Sequence, residues 1–216
     1  MIEEIRNYFG FSYNDKKIIF ITLFVVSDLI SNILAIKIFD LGFWGLSAQC
    51  ATLLFPLGYL MSDVITEVYG SRTANKTIIL GLFCNLMMLV FSSLAIIMPY
   101  PDYWTGQEAF EYIFGSVPRI VVASYLAYLI GQFTNVRLMV LIKKWTNGKY
   151  LFVRTIGSTI GGEFFDSAIF CTIGFWGTVP YNNFLSLFLT SYCIKVIWEC
   201  VLQPITYKSI DWAKET

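Results

Sequence analysis

The chain has 216 residues, of which 56% are hydrophobic and only 14% charged, with a formal net charge of zero. Soluble domains carry about a quarter charged residues, so this composition, with a mean hydropathy of +0.64, excludes a water-soluble fold. The balance of 15 basic and 15 acidic residues offers no basic surface for nucleic acid, and the absence of histidine argues against zinc and Cys/His nucleophile chemistry.

Residues 1–17 hold Glu3, Glu4, Arg6, Asp15, Lys16 and Lys17 and no hydrophobic core. The apolar run that follows is too long for a signal core and lacks a small-residue cleavage site. The N-terminus therefore reads as a short, amphipathic cytoplasmic lead into a first spanning helix. Crossing a hydrocarbon layer of about 30 Å takes roughly 20 helical residues, and six runs reach that length: 18–38, 44–69, 76–99, 117–142, 153–176 and 181–204. Residues 205–216 form a tail. The expected fold is all-α: a polytopic membrane protein in which residues 1–216 make one transmembrane domain, a six-helix bundle. In the second run, Pro56 and Gly58 sit at the centre with Asp63 and Glu67 toward the end, which predicts a kinked or broken helix. Strand-like alternation is absent, against a β-barrel. The connection 100–116, with Tyr103, Trp104 and Phe110 beside Asp102, Glu108 and Glu111, reads as an interfacial segment at headgroup level or as an outer lid. Five cysteines (Cys50, Cys84, Cys171, Cys193 and Cys200) lie in apolar stretches without a C-x-x-C pair and read as small buried apolar residues.

Basic residues set the orientation. Arg6, Lys16, Lys17, Arg72, Lys76, Lys143, Lys144, Lys149, Arg154, Lys208 and Lys214 all fall on one side of six spans. The opposite connections, 100–116 and 177–181, have no Lys or Arg, and Lys37 and Arg119 sit at span edges. Both termini are expected in the cytoplasm.

A charged side chain near the centre of a span costs about 2.5–3.5 kcal/mol on insertion scales, yet the spans hold Asp28, Asp63, Glu67, Arg137, Glu163, Asp166, Lys195 and Glu199. The i,i+4 and i,i+3 spacings of Asp63–Glu67, Glu163–Asp166 and Lys195–Glu199 put each pair on one helix face, which must look into the bundle or a wet cavity. Gly157 and Gly161 make a small-x-x-x-small face suited to close helix approach or to self-association, and Glu163 and Asp166 follow one turn later. These two acids are the leading candidates for substrate contact, with Lys195, Trp198 and Glu199 from the sixth span, Gln132 and Asn135 from the fourth and Asn32 from the first. The competing reading is structural: an ion pair of Asp166 with Lys195 or Arg137, or a self-satisfied Lys195–Glu199 pair. Asp63 and Glu67, with Thr66 and Arg72 nearby, read as an inner gate or coupling site, or as a helix-end salt-bridge cluster; Asp28 joins the gate or coupling candidates.

Carboxylates accept hydrogen bonds, Asn and Gln both donate and accept, and aromatic rings offer stacking faces. That set suits a small planar heterocycle with N–H donors, such as a purine-like base whose guanine-type edge matches one carboxylate bidentately. A cationic amine fits as well. Six acids against two bases within the spans leave a role for an accompanying proton or cation. No cofactor or metal is expected. Without G-x-x-x-x-G-K-[ST], H-E-x-x-H or G-x-S-x-G, neither ATP hydrolysis nor an intramembrane enzyme is expected.

Three stretches carry a family resemblance: Phe55 to Gly70 (FPLGYLMSDVITEVYG), Arg154 to Ser158 running into Gly162, Glu163, Asp166, Ser167 and Phe170, and Lys195 to Glu199 leading to Pro204 and Tyr207. From about 18 to 212 the chain resembles the queuosine precursor transporters, or vitamin uptake transporter family. The resemblance implies import of a 7-deazaguanine base (7-cyano-7-deazaguanine, its aminomethyl relative, or queuine) across a bacterial inner membrane for salvage into tRNA queuosine. It implies a six-helix fold like the substrate-binding components of energy-coupling-factor vitamin importers, with Glu163 and Asp166 holding the base edge and Lys195 and Glu199 beside them. A binding subunit for another vitamin, working with an ATPase module, is the alternative, and a homodimer stays open.

Overall fold

The computed structural model describes residues 11–40, 47–115, 118–175 and 181–215. The lead charges Glu3, Glu4 and Arg6, the side chain of Arg119, and residues 177–180 of the uncharged connection lie outside the described residues.

In chain order the elements are α1 (Tyr13–Leu34), β1 (Ile38–Asp40), β2 (Ser47–Gln49), a 3-10 turn (Cys50–Leu53), α2 (Phe55–Val64), a π turn (Ile65–Tyr69), α3 (Ser71–Ile97), α4 (Gln107–Phe114), α5 (Pro118–Trp145), α6 (Leu151–Phe175) and α7 (Tyr181–Lys214). The architecture is all-α apart from one antiparallel ribbon, in which Phe39 pairs with Ala48. Among the described residues, five stretches are long and apolar enough to cross a membrane: Tyr13–Leu34, Cys50–Tyr69, Ser71–Ile97, Val122–Trp145 and Phe184–Lys214. The protein is therefore a polytopic membrane protein. The expected fifth span forms α6, 25 residues long, but it is outside that set. Arg154, Glu163, Asp166 and its glycines dilute its apolar character.

Local chemistry explains the element ends. A capping box starts α1: Ser12 Oγ accepts from the Asp15 N–H at 3.2 Å, and the Asp15 carboxylate accepts from the Ser12 N–H at 2.9 Å. The second run is broken next to Pro56, as expected, into a 3-10 turn and a ten-residue helix with Pro56 in its first turn; Gly58 lies inside that helix, and a π turn follows it at Ile65–Tyr69. Gly70, at φ +85°, then lets the chain reverse into α3, a conformation that a Cβ would strain. On α4 no residue is buried; it rests on the end of α3, where Gln107 Nε2 donates to the Ile96 carbonyl at 3.1 Å.

The bundle is built around an unusual interior. α5 packs on α6 most closely, α6 on α7, and α2 sits between α1 and α7. Gly157 and Gly161 face Ile142 and Leu138 of α5, so the small-residue face serves packing within this chain. At the α5–α6 crossing a Cβ on Gly131 would lie 3.1 Å from the Gly162 carbonyl and 2.8 Å from Asp166 Cβ, so only glycine admits this approach. Outer faces carry exposed Phe83, Phe91, Ile97, Val122, Leu141 and Ile197, while among the described residues buried polar side chains outnumber buried apolar ones. That inversion is what a lipid-facing exterior and a polar interior require. Of the cysteines only Cys171 is buried; Cys193 and Cys200 lie on the exposed face of α7, which differs from the buried role expected of them.

Candidate functional site

The buried polar residues form stripes at helical spacing. On α6 they are Thr155, Ser158, Thr159, Glu163, Asp166 and Ser167; on α7 they are Lys195, Glu199, Gln203 and Thr206. Each recurs every three or four residues, so each stripe is one face. Where the two faces meet, Lys195 Nζ lies 2.8 Å from Glu163 Oε2 and 2.5 Å from Asp166 Oδ2. All three residues are buried, Glu163 at 1% exposure. A single ammonium thus holds two carboxylates within the bundle.

A cavity of about 20 Å³ opens beside this triad, lined by Thr52, Ser124, Asp166, Ser167, Ser191 and Lys195 among others. It has room for about one water molecule. Tyr59 of α2 stands at the glycine crossing next to Asp166, its hydroxyl 3.0 Å from where a Gly131 Cβ would be. Tyr59 Oη, Gln132 Oε1, Thr159 Oγ1 and Ser167 Oγ are all buried without a hydrogen-bond partner. Buried polar groups are normally satisfied, so these atoms leave hydrogen-bonding capacity unused in the interior.

The remaining candidates separate into distinct groups. Asn135 Nδ2 donates to Asp63 Oδ1 at 2.9 Å, and Gln203 Nε2 donates to Glu199 Oε1 at 3.0 Å. Asn32 belongs to another cluster between α1, α3 and α5: its Nδ2 donates to Asn85 Oδ1 at 2.7 Å, it accepts from Ser124 Oγ at 3.0 Å, and Asn85 in turn donates to Asp28. Trp198 does not join the interior. It is 37% exposed on the outer face of α7, because the residue before Glu199 is turned about 100° from it. Arg137 is also exposed, so of the two ion-pair partners considered for Asp166 the structure realises Lys195.

Asp63 and Glu67, expected together, play separate parts. Glu67 sits at one end of the bundle with Arg154 at 2.6 Å, Lys143 at 2.9 Å and Lys214 at 3.9 Å. This is the helix-end salt-bridge cluster, with buried Arg154 in the place expected of Arg72, which is exposed. A double-mutant cycle should show the difference that burial makes. Coupling of Glu67 with Arg154 is expected to reach about 1.5–3 kcal/mol, and coupling with exposed Lys214 about 0.5 kcal/mol or less; equal couplings in thermal unfolding would contradict this geometry.

Sequence reasoning missed Asn85, Arg154, Gln203 and Tyr59. The Asn85 signal was available, since it is the one amide within the apolar run 76–99. Arg154 was counted with the connection before α6, although it falls in that helix's first turn. Among the described residues, no group of three or more His, Cys, Asp or Glu side chains is placed to hold a metal ion.

Comparison with known proteins agrees with this polar-cored membrane bundle. A family model described as "Putative vitamin uptake transporter" matches residues 49–209. A Bacillus subtilis protein named "Probable queuosine precursor transporter" is 30% identical over 179 residues, 82% of this chain and 77% of that protein. The Escherichia coli "Queuosine precursor transporter" is 25% identical over 204 residues, covering 90% and 86%. A Haemophilus influenzae protein with the "Probable" form of the name is 26% identical over 125 residues, 58% of this chain and 51% of its own. No solved structure matches. With the family match running from the 3-10 turn before α2 nearly to the end of α7, the chain belongs to the vitamin uptake transporter family.

Proposed function

We propose that this protein imports a queuosine precursor, a 7-deazaguanine base, and binds it at the Glu163–Asp166–Lys195 triad. The relatives' names supply the substrate class, and the observation that carries the site is the buried lysine held between two carboxylates amid unpartnered polar groups. A 7-deazaguanine presents a ring N–H and an amino group on one edge, with a carbonyl oxygen adjoining. Glu163 accepts from the two donors bidentately, while Lys195, still held by Asp166, donates to the carbonyl. Tyr59, at the same glycine crossing as Asp166, offers a further polar contact. The adjoining cavity fits about one water, so a bicyclic base enters only as α7 moves back from α6.

Six crossings, with α6 as the sixth, packed between α5 and α7, and both termini on the cytoplasmic side of the cell membrane complete this reading. It is supported by the gathering of Lys143, Arg154 and Lys214 at one end of the bundle. The triad side of the bundle then opens outward and the Glu67 cluster faces the cytoplasm.

Bacterial cells unable to synthesise queuosine, given an external 7-deazaguanine base, test this reading. Expression of the protein should restore queuosine in tRNA. Its continued absence, with protein present in the membrane, would refute the import of that base.

A further inference from the structure

Between the triad and the Glu67 cluster lies a second acidic pair with no cation. Asp63 and Glu199 are both 0% exposed, and the ion pairs among the described residues involve Glu67, Glu163 and Asp166 instead. Asp63 lies on α2 and Glu199 on α7, which pack together, and each is one helical turn from a charge already placed, Asp63 before Glu67 and Glu199 after Lys195. Each carboxylate uses only one oxygen. Asp63 Oδ1 accepts from Asn135, and Glu199 Oε1 accepts from Gln203, whose own Oε1 accepts from Thr155 at 2.9 Å. Asp63 Oδ2, Glu199 Oε2 and Asn135 Oδ1 remain buried with no partner.

Three orphan acceptors beside two buried carboxylates without a cation define a chemical need. Asn135 is itself 0% exposed, and its Oδ1 adjoins the amide nitrogen that binds Asp63. Two carboxylates buried this completely do not both carry charge without a counter-ion. A proton supplies the missing donor and cancels one charge.

We propose that Asp63 and Glu199, with Asn135 beside them, form a proton-binding site that couples proton entry to uptake of the substrate held at the triad. This rests on the transport reading above. The surrounding charges are otherwise engaged. Glu67, on the π turn after α2, is held by Arg154, Lys143 and Lys214. On α6, Glu163 and Asp166 are held by Lys195 of α7. On α1, Asp28 is bonded to Asn85 of α3, and Lys16 caps the end of α7 through the Trp212 and Glu215 carbonyls at 2.7 Å. From α5 the facing group is Asn135, and on α2 itself the buried Tyr59 phenol lies one turn before Asp63. Lys195 and Glu199 are one turn apart on α7, so a shift of α7 that admits the base also moves the proton-binding carboxyl. The proton enters from the acidic outer side, is held by one carboxyl of the pair, and leaves toward the Glu67 end.

Proteoliposomes containing the purified protein and labelled 7-cyano-7-deazaguanine provide the test. For one proton per base, a gradient of one pH unit, acid outside, drives about tenfold accumulation, and the vesicle interior should acidify as the base enters. A sodium gradient of the same size should drive none. Asp63→Asn and Glu199→Gln should each lose this accumulation to a greater extent than they lose exchange of labelled for unlabelled base. Indifference of wild-type uptake to the pH gradient, accumulation driven by sodium alone, or full accumulation by both variants would overturn the proton site. If neither variant folds, the wild-type arms decide. Absence of exchange by the wild-type protein would overturn the transport reading, and the proton site with it.

Discussion

Replacement of Glu163 by Gln should reduce uptake of a 7-deazaguanine base by about ten- to a hundredfold, the loss of a charge-assisted hydrogen bond worth about 1.5–3 kcal/mol. The amide turns an NH2 group toward a substrate edge that is itself all donor, so one accepting contact becomes a repulsive one. Folded protein should persist, because Lys195 keeps Asp166 at 2.5 Å as its partner. Asp166→Asn acts differently. It leaves Lys195 with Glu163 alone, at 2.8 Å, so the lysine and the base compete for one carboxylate. Uptake should again fall, with membrane levels near those of the wild type. Transport assays on cells with matched protein levels check both, and unchanged uptake by either variant would remove that residue from the site.

Lys195→Met should have the largest effect on stability. It strands two acids that are 1% and 6% exposed, and breaking a buried ion pair from one side costs about 3–5 kcal/mol. Adding Glu163→Gln and Asp166→Asn to it removes both stranded charges. The triple variant should therefore regain much of the lost thermal stability in detergent, while uptake stays absent. That split separates the two roles of the triad, as a structural tie between α6 and α7 and as a place for substrate. If Lys195→Met alone were as stable as the wild type, the lysine would not be the counter-ion of these acids.

Much of this arrangement was legible because the bilayer turns the usual burial rule around. In a soluble protein a buried acid is one of many features to weigh. Here a charge within an apolar run was expected to face inward, as all those singled out but Arg137 do, and the i,i+3 spacing of Glu163 and Asp166 fixed their common face. The break in the second run followed from Pro56 in the same way. Periodicity along one helix says nothing, however, about which helix lies opposite. Asn135 was legible as an interior group, but its bond to Asp63 depends on how α2 sits against α5. The same limit explains Glu67, whose buried partner comes from 87 residues away in Arg154. Trp198 shows a different error. Nearness in sequence to Lys195 and Glu199 suggested a shared face, whereas one residue of helical rotation carries the indole outward. Arg137, also exposed, is a long side chain that reaches water from within a span.

The lopsided placement of basic residues foretold an end of the bundle rich in cations, and the Glu67 cluster is that end. Asp63 was legible as a coupling candidate and a role for a proton was open, but the association of Asp63 with Glu199 proposed above was not. Its signature is the set of unused oxygens on Asp63, Glu199 and Asn135, and these become visible only once the neighbouring helices are in place.

Direct binding by the purified protein tests the central claim most closely. Labelled 7-deazaguanine bases, guanine, biotin and riboflavin should be offered in turn to the wild-type protein and to Glu163→Gln. A 7-deazaguanine base should bind the wild type in preference to biotin and riboflavin, and should bind Glu163→Gln at least about tenfold more weakly. Preferential binding of biotin or riboflavin, or equal affinity of the wild type and Glu163→Gln for the deazaguanine, would contradict it.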